Sequence, residues 1–77
     1  MERFKITCEI SNKLVEAQFD IKKIPDEKGP CYMITIDGLF KGYIKKEKDG
    51  IFRQLINSYF DEKDMLTINE KLRQFSN

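Results

Sequence analysis

Apolar and polar residues alternate without a break from Phe4 to Ile10, with Phe4, Ile6, Cys8 and Ile10 at one parity and Lys5, Thr7 and Glu9 at the other. The same period returns in Val15, Ala17, Phe19 and Ile21. A period of two belongs to a half-buried strand, because successive side chains leave a pleated backbone on opposite sides, and no helix can keep four such residues on one face. A two-residue loop at Asn12-Lys13 pairs Ile10 with Val15, Cys8 with Ala17, Ile6 with Phe19 and Phe4 with Ile21. A slip of one residue would turn one strand's apolar set to solvent, so the faces are specified even though Asn-Lys is a weaker hairpin signal than Asn-Gly.

Pro25-Asp26-Glu27-Lys28-Gly29-Pro30 is a polar loop bracketed by prolines, which ends the second strand within one domain. Residues 31–45 then read as strand, Asp37-Gly38 turn, strand. A three-residue loop of Asp37, Gly38 and Leu39 sets Ile36 opposite Phe40, Ile34 opposite Gly42 and Tyr32 opposite Ile44, an almost wholly apolar face. A two-residue turn sets Ile36 opposite Leu39 and Ile34 opposite Lys41, which mixes charge into that face, so the longer loop is preferred. After Asp49-Gly50 a short strand is expected at 51–55. A helix competes there, because Phe52, Leu55, Ile56 and Tyr59 also sit at helical spacing.

Asp61 can cap a final helix in which Met65, Ile68, Leu72 and Phe75 form an apolar stripe. Phe60 can staple onto Met65, Glu62 and Asp64 suit the positive helix end, and Lys71 and Arg73 suit the negative one. The expected fold is α+β: a single domain over 1–77, an antiparallel meander of about five strands (4–10, 14–23, 31–37, 39–46, 51–55), and one helix (62–75) packed on one face. The run Tyr32-x-Ile34-x-Ile36-Asp37-Gly38-x-Phe40-x-Gly42-x-Ile44, then Asp49-Gly50-x-Phe52, then the helix, resembles small uncharacterised bacterial proteins of β-meander-plus-C-terminal-helix layout. The resemblance implies the fold and brings no activity with it.

The 77 residues carry 14 Lys+Arg against 13 Asp+Glu, a net charge of +1, so no chain-wide field draws nucleic acid or a membrane surface. There is no histidine, which removes every Ser-His-Asp, Cys-His and His-metal arrangement. Met1-Glu2-Arg3-Phe4-Lys5-Ile6-Thr7 contains no apolar leader core, and the longest apolar run, Cys31-Tyr32-Met33-Ile34, is far short of the roughly 20 residues that span a bilayer. Two distant cysteines, Cys8 and Cys31, make no disulfide scaffold and no CxxC pair, so a cytoplasmic location is expected.

Chemistry-bearing residues have plainer roles. Asp37 and Asp49 each precede a turn glycine, where Asp bonds its own backbone. Cys8 falls on the apolar face, whereas Cys31 falls on the outer one, where a partly accessible thiol is expected. Asp61-Glu62-x-Asp64 is explained by helix-start electrostatics and lacks the pattern of a calcium loop. No glycine-rich phosphate loop is present, so no cofactor, metal or catalytic residue is assigned.

Lys41, Lys45, Lys46, Lys48 and Arg53 against Glu47 and Asp49 make the most basic stretch, with Tyr43 between Lys41 and Lys45. A sheet of five strands is roughly 19 Å across, whereas one helix covers about 10 Å, so either the sheet curls around the helix or a second molecule covers part of it. Met33, Leu39 and Tyr43 add apolar surface on the outer side. The sequence therefore points to a small non-enzymatic interaction module. Its candidate surface is Met33, Leu39, Lys41, Tyr43, Lys45 and Arg53, and its partner a second copy of the chain or another protein. Single-stranded nucleic acid on the Lys41, Tyr43, Lys45 row is the alternative, and no membrane is expected.

Overall fold

Five antiparallel strands in the order β1-β2-β3-β4-β5 form one meander sheet: β1 (Arg3–Ile10), β2 (Lys13–Lys22), β3 (Cys31–Ile36), β4 (Leu39–Lys46) and β5 (Phe52–Gln54). Helix α1 (Glu62–Ser76) follows. This computed structural model describes residues 3–55 and 58–76. The α+β meander with one C-terminal helix is the architecture the sequence implies. Phe52–Gln54 is strand rather than helix, and Ile56, part of the competing helical pattern, lies outside the described residues.

Helix α1 packs against both β1 and β5, the two edge strands of the sheet. A helix about 10 Å wide reaches both margins of a sheet nearly twice that breadth only if the sheet curls, so curling resolves the mismatch in widths. The concave side holds Cys8, Ile10, Ala17, Phe19, Ile34, Ile36, Ile44, Phe60, Ile68 and Leu72, all buried. Phe75 stacks on Phe4 at 4.6 Å, Phe4 on Phe19 at 5.1 Å, and Tyr32 meets Phe4 edge-on at 5.5 Å and Phe52 at a tilt at 5.8 Å. This aromatic run ties the helix to β1, β2, β3 and β5 through offset and edge contacts, which are favoured over face-to-face sandwiches.

Two registers differ from expectation. The first hairpin turns at Ser11-Asn12, so Ile10 pairs with Lys13, Cys8 with Val15, Ile6 with Ala17 and Phe4 with Phe19. Ser11 and Asn12 both have positive φ, 54° and 64°, as a tight two-residue turn of this hand requires, and Asn tolerates that conformation where Lys13 would not. The displacement from the Asn12-Lys13 loop is two residues, so every side chain keeps its face.

In the second hairpin the turn is the two-residue Asp37-Gly38, with φ of 53° and 78°, and Ile36 pairs with Leu39. Thr35 pairs with Phe40, and Ile34 then pairs with Gly42, which leaves Lys41 as the extra residue of a bulge. The register beyond the bulge is the one preferred from sequence, with Tyr32 opposite Ile44. The additional residue sits at Lys41 rather than in the turn. Phe40 consequently leaves the concave face expected for it and joins Tyr43 on the outer one, ring to ring at 5.2 Å.

The helix begins as a reciprocal box. Asp61 Oδ1 accepts from the Asp64 amide at 2.8 Å and Asp64 Oδ2 from the Asp61 amide at 3.4 Å. Asp64 is buried, and its Oδ1 also accepts from the Ser11 amide at 2.9 Å, so one carboxylate fastens the first hairpin turn to the helix start.

Candidate interaction surface

The six residues singled out from sequence separate into two places. Met33 and Tyr43 are cross-strand partners on the outer face, as are Lys45 and Arg53 one step along. Leu39 and Lys41 are elsewhere: with Ile10, Val15 and Ile36 they line a hollow of about 190 Å³ at the end of the sheet where the two tight turns meet. The Lys41 bulge thus breaks the expected row of Lys41, Tyr43 and Lys45.

The remaining cations of the row are engaged. Lys45 Nζ lies 2.9 Å from Glu27, whose hydrogen bond raises the lysine's pKa, and Arg53 lies 3.2 Å from Asp49, whose carboxyl it holds below the usual value. Glu27 belongs to the 23–30 loop, which folds back across the outer face and bonds its Pro30 carbonyl to the Lys46 amide at 3.2 Å. Cys31 lies beneath that loop, 1% exposed, its thiol 3.8 Å from the Gly29 carbonyl. The expected accessible thiol is therefore a buried one, and burial pushes its pKa up, as it does for Cys8. Alternation assigns the face correctly but carries no information about a loop that covers it.

Beyond the ion pair the loop leaves a recess of about 370 Å³ on the outer face, lined by Ile24, Pro25, Tyr43 and Leu55, with Lys22, Lys23 and Glu27 at its rim. Ile24, Tyr43 and Leu55 are half-buried. Lys22 and Lys23 make no ion pair among the described residues. Comparison with protein families, with curated proteins and with solved structures returns no match. Fold and chemistry of the chain's own residues carry the functional reading.

Of the recess residues only Tyr43 was singled out from sequence. Ile24-Pro25 is an apolar pair inside a polar loop, and that departure from loop composition is the signal that could have found it. Leu55 stays at the sheet because its amide donates to the Tyr43 carbonyl at 2.9 Å. Among the described residues no three acidic or cysteine side chains are placed to hold a metal ion, and no helix is long and apolar enough to cross a membrane.

Proposed function

We propose that the chain is a small non-enzymatic protein-binding module that captures an extended, acidic segment of a partner, one apolar side chain of which enters the recess between Ile24, Pro25, Tyr43 and Leu55. The carrying observation is the pairing of that apolar floor with Lys22 and Lys23 at the rim. Glu27, the acidic group nearby, is occupied by Lys45, so the rim offers positive charge to an incoming chain. Selection from a random peptide library should enrich an apolar residue flanked by Asp or Glu, and Ile24→Asp should abolish capture while leaving the fold intact. Enrichment without an acidic flank, or capture insensitive to Ile24→Asp, would refute this reading.

Binding of single-stranded nucleic acid is a second reading, supported by the Phe40–Tyr43 ring pair, which offers a stacking surface. Pairing of Lys45 with Glu27 and the displacement of Lys41 weigh against it. Its signature would be affinity for an oligonucleotide that falls steeply with added salt.

A further inference from the structure

Strand β1 is eight residues long and stands at the margin of the sheet with a neighbour on one side only. The Ser11-Asn12 turn determines which backbone groups face outward. In a two-residue hairpin the closing pair exchanges both hydrogen bonds, here Ile10 with Lys13, and the bonded pairs recur at every second residue: Cys8 with Val15, Ile6 with Ala17, Phe4 with Phe19. The amides and carbonyls of Lys5, Thr7 and Glu9 therefore point away from the sheet, and no described residue bonds to them. All three residues are exposed. The strand has no proline and no bulge, two devices that ordinarily blunt such a margin.

We infer that a second copy of the chain docks on this margin, β1 against β1 antiparallel about a two-fold axis, to make one continuous ten-stranded sheet. The charges select the register. With Thr7 opposite the partner's Thr7, Lys5 faces the partner's Glu9 and Glu9 the partner's Lys5, so one strand carries both halves of two ion pairs and six backbone hydrogen bonds form across the axis. Phe4 and Ile6, half-buried now, come opposite the partner's Ile10 and the partner's Cys8. Moving the axis to Lys5 or to Glu9 sets like charges against each other. Moving it to Ile6 replaces the Lys5–Glu9 pairs with a demand on Arg3, which already binds Asp20. The Thr7 register alone uses nearly the whole strand, pairs Lys5 with Glu9 twice and leaves the Arg3–Asp20 pair in place, drawing Lys5 only from its long, exposed 4.0 Å contact with Glu16.

Sedimentation of the wild-type chain and four variants tests this. The wild type should sediment at twice its 9.2 kDa at micromolar concentration. Lys5→Glu and Glu9→Lys should each weaken association roughly tenfold, and the double variant with the charges exchanged should restore it. Thr7→Pro should give a folded monomer, because its missing amide is one the monomer does not use, and an unchanged far-ultraviolet dichroism verifies the fold. A wild type that stays monomeric would overturn the inference and leave the margin to a strand of some other protein. A dimer indifferent to both single reversals, or an exchanged variant no better than either, would overturn it equally.

Discussion

The two margins of this sheet receive opposite treatment. At β5 the strand is three residues long, and helix α1 finishes it with a side chain: Asn69 Oδ1 accepts from the Phe52 amide at 2.7 Å and Asn69 Nδ2 donates to the Phe52 carbonyl at 2.8 Å. Gln54 does the same for Phe60, taking its amide at 3.2 Å and giving to its carbonyl at 2.8 Å. Between these clasps Ser58 Oγ accepts from the Tyr43 amide at 3.0 Å, the ladder position of β4 that β5 has left, and donates to the Tyr43 carbonyl at 2.9 Å alongside the Leu55 amide. Three small polar side chains thus imitate a strand. At β1 the one such contact among the described residues is Asp64 on the Ser11 amide, just past the end of the strand, and Lys5, Thr7 and Glu9 have none although that strand is far longer. The difference teaches that this chain closes its short margin with side chains and leaves the backbone groups of Lys5, Thr7 and Glu9 on the long one open.

The closed margin should break most severely at Gly42. A Cβ there would come within 2.6 Å of both the Cβ and the Oγ of Ser58, and the backbone φ of +153° is one that side-chain-bearing residues rarely adopt. Gly42→Ala should therefore cost about 3 kcal/mol, by overpacking and by expelling Ser58 from its two bonds to Tyr43. Urea denaturation gives the number, and a loss below 1 kcal/mol would mean that the Ser58 segment can leave the sheet freely.

Removal of the clasp itself is milder. Asn69→Ala deletes two bonds to Phe52 and one to the Met65 carbonyl without forcing atoms together, so about 2 kcal/mol is expected. Amide exchange sharpens the contrast, because the Phe52 amide should lose protection in this variant while the Thr7 amide of the open margin is unprotected in monomer from the outset.

How much of this was legible in the sequence depends on the range of the signal. Alternation from Phe4 to Ile21 assigned every side chain of the first hairpin to its face, and Asp61, Asp64 and the Met65-to-Phe75 stripe located the helix to within a residue. Positions of single extra residues were hidden. Asp37-Gly38 is compatible with two loop lengths, and the choice of a bulge at Lys41 follows from Gly42 meeting Ser58, a contact 16 positions away in the chain. The outer surface was least legible, since Tyr43 and Met33 announce themselves as apolar residues among charges, but the cover over Cys31 and the recess beside it depend on where a polar loop comes to rest. Asn69 and Gln54 gave no warning at all, because a carboxamide on a helix or strand reads as ordinary solvent-facing polarity.

The smallest expected effect concerns attachment of the open margin. Asp20 accepts hydrogen bonds from Arg3 and Gln18, and these, Arg3 foremost, hold its carboxyl below the usual 3.8. A depressed carboxylate contributes stability that is complete above its unfolded value and is lost as pH falls through the folded one. The urea midpoint should therefore decline from about pH 4 downward, and less so in Asp20→Asn, which cannot titrate there. Parallel pH profiles for the two proteins would show that Arg3 does not fasten β1 through this carboxylate.

Because the clasp on β5 is carried by α1, the order of synthesis has a consequence for the nascent chain. The strands at 3–54 precede Ile68, Asn69 and Leu72, so a polypeptide whose strands pair before α1 docks has its sheet bare on the concave side and its β5 margin unfinished. Such a species is the kind that aggregates or calls for a chaperone, and the interval lasts until residues 62–76 dock. The speed with which α1 docks thereby becomes a determinant of yield for this fold, independent of the stability of the finished molecule.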